Sequence, residues 1–116
     1  LVVYPNIKCS TKEIYSKVKN YNKKKVLKQN FKNKVALINQ IFNLKNDLQS
    51  IVEKKYPVIQ KLLLNISNEK GCYFSRMTGS GSACYGLFRD KLSSKVALKR
   101  LRKKYPKFWF SIAKTI

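Results

Sequence analysis

Gly71-Cys72-Tyr73-Phe74-Ser75-Arg76-Met77-Thr78-Gly79-Ser80-Gly81-Ser82-Ala83-Cys84-Tyr85-Gly86-Leu87-Phe88 places two runs of β-type composition on either side of a turn built from small residues. Aromatic and apolar side chains around a glycine-serine connection predict two strands joined by a loop. Gly79 and Gly81 permit positive φ and leave no Cβ between the backbone amides and a ligand. Thr78, Ser80 and Ser82 add short hydroxyls, and successive amides turned inward would form an anion nest. A glycine-serine hairpin that holds no ligand has the same composition, so the turn alone leaves both readings open. No lysine follows the second glycine as in a Walker loop, and the G-x-G-x-x-G spacing of a dinucleotide fold is missing.

Upstream of this hairpin, Leu1 to Tyr4 is apolar and β-branched and reads as a buried strand that Pro5 ends. Ser10-Thr11-Lys12-Glu13 reads as a capping box, with Glu13 reaching back to the Ser10 amide, and opens a helix from about Thr11 to Val18. Residues 19–34 are rich in lysine and asparagine and read as a mobile connection. Apolar residues at 35, 38, 41 and 42 give a helical stripe. Asn46 reads as the N-cap of a further helix, with Gln49 at the capping-box position and Asp47 in the first turn. Leu48, Ile51 and Val52 form the buried face of that helix. Pro57 starts the next one, where its missing N–H costs nothing; Val58, Ile59, Leu62, Leu63 and Ile66 carry its core face. Downstream of the hairpin, a helix from about Ser93 to Lys104 buries Val96, Ala97 and Leu101, and 108–113 reads as a last strand. The order predicts an α+β fold, a four-stranded antiparallel sheet with helices on one face.

One modest core fits a chain of 116 residues. The start within a strand-like run, without a methionine, reads as a fragment cut at a domain boundary. Cys9, Cys72 and Cys84 show no Cys-x-x-Cys pair and the chain has no histidine, which argues against a disulfide framework, a zinc site and histidine-based acid–base or Cys-His chemistry. The cysteines read as small, reduced, mostly buried side chains. Glu53, Glu69 and Asp90 have no partner at an obvious spacing. The formal charge of +21, from 26 Lys plus Arg against 5 Asp plus Glu, points first to nucleic acid. Only Arg76, Arg89, Arg100 and Arg102 are arginines, however, and base readout favours arginine. Lysine with abundant asparagine and isoleucine is also what codon bias in an AT-rich genome produces.

Three separated segments then match one family in the right order: Tyr4-Pro5-Asn6 followed by Ser10-Thr11-Lys12-Glu13-Ile14-Tyr15; Asn46-Asp47-Leu48 with Pro57 downstream; and Arg76 through Cys84. The chain resembles the C-terminal domain of the GHMP superfamily of small-molecule kinases across essentially its whole length, and Trp109 stands where that family often places an aromatic. The resemblance implies a ferredoxin-like domain over residues 1–116, with the catalytic residues and main ATP loop in an N-terminal domain absent from the chain. It implies a cytoplasmic enzyme that uses ATP and Mg2+ to phosphorylate the 2-hydroxyl of a cytidyl-diphosphate-methylerythritol in non-mevalonate isoprenoid biosynthesis. Thr11 and Tyr15 fall at substrate-side positions, the Tyr15 ring facing the cytosine and Thr11 offering a hydroxyl. Packing of Tyr15 as an ordinary half-buried tyrosine is the alternative. Thr78, Gly79, Ser80, Gly81 and Ser82 fall against the ATP phosphate loop, supporting it by packing and electrostatic preorganisation. No catalytic residue and no metal ligand is expected in this chain, no ligand is expected on it, and it should be inactive by itself. No membrane and no specific nucleic acid is implied. A lysine-rich nucleic-acid-binding module and a non-catalytic interaction domain are the readings from other classes.

Overall fold

A computed structural model describes residues 1–17, 38 and 46–114. The elements run β1 (Val2–Tyr4), α1 (Thr11–Ser16), α2 (Gln49–Lys55), α3 (Pro57–Ser67), β2 (Cys72–Met77), β3 (Cys84–Phe88), α4 (Lys91–Lys104) and β4 (Trp109–Ser111). The lysine-asparagine stretch, Val18 and the helical stripe at 35–42 lie outside the described residues, except for Ile38, which is helical and half-buried.

The four strands form one sheet in the order β2-β3-β1-β4. Every pairing is antiparallel: β1 pairs with β3 through Val3↔Cys84 and with β4 through Val3↔Phe110, while Met77↔Cys84 joins β2 to β3. Side chains alternate across a sheet, so Val3, Cys84, Met77 and Phe110 share one face. That face meets all four helices just named, because these residues form a single core with Ile14, Val52, Ile59, Leu62, Leu63, Ile66, Ala97 and Leu101. The expected α+β architecture, helices on one face, is therefore present.

Several local expectations change. The Ser10 hydroxyl accepts from the Glu13 amide at 3.3 Å, which is half of the capping box. Glu13 does not return the bond, since its carboxylate is taken by Lys17 and Lys55. Helix α4 begins at Lys91, ahead of the expected Ser93, because Asp90 caps it: its carboxylate accepts from the Ser93 amide at 2.7 Å. Asp90 is therefore partnered, as are Glu69, which pairs with Arg100 at 3.4 Å, and Glu53, which accepts from Gln49 at 3.1 Å. Val58 and Val96 are exposed. Each lies one position, about 100° of helix, before a residue that points into the core, and that rotation carries it off the apolar stripe. Of the cysteines, Cys84 is buried while Cys9 and Cys72 are only half-buried; all three are free thiols.

Candidate functional site

The turn between β2 and β3 closes on itself at its base. The Thr78 amide donates to the Ala83 carbonyl at 2.8 Å, and the Gly81 amide donates to the Thr78 carbonyl at 2.9 Å. Two amides of the expected nest are thereby taken up internally. Those of Gly79 and Ser80 have no acceptor among the described residues. Gly79 and Gly81 both adopt positive φ, +47° and +87°, as the glycine pattern requires.

The two glycines differ in surroundings. A Cβ at Gly79 would meet nothing within 4 Å, whereas one at Gly81 would lie 2.9 Å from Met77 Sδ and 3.3 Å from Cys9 Sγ. Gly79 is thus the open tip and Gly81 the packed root of the loop. Replacing Gly81 with alanine combines backbone strain with overpacking beside the buried Met77, and is expected to cost about 2–4 kcal/mol. Gly79→Asn should stay within about 1 kcal/mol, because asparagine tolerates the left-handed region. Urea midpoints of the two variants check the contrast; equal losses would contradict it.

Three other segments hold the loop. The buried Ser82 donates its hydroxyl to the Ile7 carbonyl. Thr11 and Ser80 share a hydrogen bond at 3.1 Å between their hydroxyls. This contact joins the first turn of α1 to the loop tip, so two of the sequence-derived candidate regions meet. Tyr15 lies four residues after Thr11 and so on the same side of α1; it is 48% exposed. The third tether is Asn46. Its Oδ1 accepts from the Leu48 amide at 2.9 Å, and its Nδ2 donates to the carbonyls of Met77 and Gly79, both at 2.8 Å. The cap expected of Asn46 is met in part: its Oδ1 takes the amide two residues on, as a cap does, but α2 itself starts only at Gln49 and the Nδ2 of Asn46 reaches away to the loop. Gln49 likewise leaves the capping-box role and accepts from the Met77 amide at 3.0 Å. An asparagine before a helix carries the same local signature in either role, and its partners are too distant in sequence to be seen.

The titratable groups around the site are held by ion pairs or by burial. Hydrogen bonds from Lys55 and then Lys17 hold the Glu13 carboxyl below its ordinary range, which fixes it as a charged tie between α1 and α2. Burial pushes the Cys84 thiol up to about 12 and the Cys72 thiol to about 11; at neutral pH neither supplies a thiolate. Burial also raises Cys9, against the opposing field of Lys55. Among the described residues no three cysteine or carboxylate side chains converge to hold a metal, and no helix is long and apolar enough to cross a membrane.

The family model described as GHMP kinases C terminal matches residues 23–107. A Pelagibacter ubique protein named 4-diphosphocytidyl-2-C-methyl-D-erythritol kinase is 34% identical over 116 residues, covering 100% of this chain and 41% of its own length. A protein of the same name from Wolbachia sp. subsp. Brugia malayi is 32% identical over 107 residues, covering 92% of this chain and 37% of its own. The crystal structure of a 4-(cytidine 5'-diphospho)-2C-methyl-D-erythritol kinase superposes with a TM-score of 0.69 at 22% identity, over 93% of this chain and 40% of that one; at this identity the likeness speaks for the fold. The chain thus spans about two fifths of the length of the curated relatives it matches.

Proposed function

We propose a function from this premise: the chain belongs to the GHMP kinase family, whose C-terminal domain it matches over residues 23–107. In this reading residues 1–116 are the substrate-side domain of a kinase that transfers the γ-phosphoryl of ATP to the 2-hydroxyl of 4-diphosphocytidyl-2-C-methyl-D-erythritol, a step of cytoplasmic non-mevalonate isoprenoid synthesis. The observation that carries it is the Thr11–Ser80 hydrogen bond, which sets the substrate-side helix directly beside the glycine-serine loop.

ATP supplies the group that moves. This chain supplies walls: Gly79 and Ser80 offer amides and an unobstructed backbone to phosphate oxygens, Thr11 a hydroxyl, and Tyr15 a ring face for the cytosine. Phosphoryl transfer depends on positioning and electrostatic stabilisation, so a rigid wall with free amides contributes to rate without moving a proton. The described carboxylates do not fit a Mg2+ site: Glu13, Glu53, Glu69 and Asp90 are each engaged by a side chain or a helix end, Asp47 is not free either, and no three of them converge. The metal, the catalytic groups and the main ATP loop belong, in this proposal, to the N-terminal part of the full-length protein, and the 116-residue chain alone is inactive. Nucleic acid is assigned no specific role, because lysine dominates the positive charge.

The test is ADP release by the full-length protein given ATP, Mg2+ and the cytidyl substrate. Substrate-dependent release is expected; release that ignores this substrate, or none at all, would overturn the reading.

A further inference from the structure

Met77 ends an edge strand, since β2 is outermost in the sheet and pairs only with β3 among the described residues. Residues of an antiparallel edge point N–H and C=O outward in turn, and an outward pair left without partners costs stability. Here the outward amide of Met77 meets Gln49 Oε1 at 3.0 Å, and its carbonyl meets Asn46 Nδ2 at 2.8 Å. Two side-chain amides from the start of α2 thus stand in for a neighbouring strand. Asn46 goes one step further. Its second Nδ2 hydrogen reaches the Gly79 carbonyl at 2.8 Å while its Oδ1 holds the Leu48 amide at 2.9 Å. Both hydrogens of its amide group are then engaged, and one side chain links the strand end, the loop tip and the entry to α2.

We propose that Asn46, assisted by Gln49, is a positioning residue that fixes the Thr78–Ser82 loop in the shape that presents the Gly79 and Ser80 amides. A primary amide is required because two carbonyls must be met by donors and one amide by an acceptor, which neither a carboxylate nor a hydroxyl can do. For the consequence on phosphoryl transfer, this proposal rests on the kinase reading above; for the loop geometry it does not.

The experiment uses the full-length protein with Asn46→Asp, which keeps the shape and the acceptor for Leu48 but turns oxygens toward both carbonyls. Amide hydrogen exchange at Thr78 and Gly81 should accelerate about tenfold or more while amides of α3 stay within about twofold, the signature of a local opening. The kcat should fall by about 10–100-fold, with KM for the cytidyl substrate within about threefold, because misplacement of the loop harms geometry and not cytosine binding. Asn46→Ser, which keeps a local hydroxyl but cannot span both carbonyls, should show the same pattern and replaces the first variant if that one does not fold. Unchanged loop exchange and kcat in a folded variant would overturn the proposal. So would uniform acceleration across the loop and α3, or collapse of both variants, each of which marks a purely structural role. If the unmodified protein shows no turnover, the kinase reading fails and the exchange data alone decide whether Asn46 fixes the loop.

Discussion

Ile66→Ala is expected to lower the unfolding free energy by about 2–5 kcal/mol, a large part of a typical domain's total of about 5–15 kcal/mol. Ile66 is fully buried in the last turn of α3, where it fills the space left by a missing side chain on β3. That space belongs to Gly86: a Cβ there would overlap Ile66 Cγ2 and come within 3.0 Å of Phe88 Cε1. The glycine in this interior strand is thus required by the close approach of helix to sheet. Gly86→Ala should itself cost about 1–3 kcal/mol by overpacking. The two losses share one contact, so they should not add. Removing Cγ2 makes room for the new methyl, and the double variant should be more stable than the sum of the singles by about 0.5–3 kcal/mol. Urea unfolding of the four proteins of the cycle, followed by circular dichroism, reads this coupling. Strict additivity would mean that α3 does not rest on Gly86 as described.

Tyr15→Ala in the full-length protein is expected to raise KM for the cytidyl substrate by roughly 5–150-fold, since stacking of a base on an aromatic ring is worth about 1–3 kcal/mol. The ring stands exposed on the side of α1 that carries Thr11, and Thr11 is bonded to the loop tip. Its removal should leave KM for ATP and kcat within about threefold, because the lost contact is made equally in the ground and transition states. Tyr15→Phe, which keeps the ring face, should behave like the unmodified protein. Steady-state kinetics with each substrate varied in turn separates the cases. An unchanged KM for the cytidyl substrate would return Tyr15 to an ordinary surface tyrosine.

What the sequence disclosed and what it withheld divide along a physical line. Features set by near neighbours were legible: the small-residue turn between β2 and β3, Pro57 opening α3, Ser10 capping α1, and the i, i+3, i+4 stripe of Ile59, Leu62, Leu63 and Ile66. The number of strands followed from composition. Their order did not, because β1 sits between β3 and β4 through pairings such as Val2↔Tyr85 and Val2↔Ser111 that span most of the chain. The misreadings have the same origin. Asn46 and Gln49 matched a local capping pattern; Asn46 keeps its bond to the Leu48 amide, but its Nδ2 and the Gln49 side-chain oxygen are taken by Met77 and Gly79, which the pattern could not show. Glu13 gave up its reciprocal cap for lysines, one of them on another helix. Asp90 was the one missed local signal, an aspartate three residues before a serine amide at the start of an amphipathic run. Within the site, Thr11 and the Ser80 turn were both marked in the sequence, but their contact depended on the fold to bring residues 69 apart together.

Transfer of radiolabel from γ-labelled ATP to 4-diphosphocytidyl-2-C-methyl-D-erythritol, measured side by side for the full-length protein and for the 116-residue chain at equal concentration, tests the central claim most directly. Labelled product from the full-length protein and none from the chain is the predicted result, since the proposal gives the chain a positioned wall and places the catalytic groups elsewhere in the full-length protein. Labelled product from the chain alone, or none from either, would contradict it.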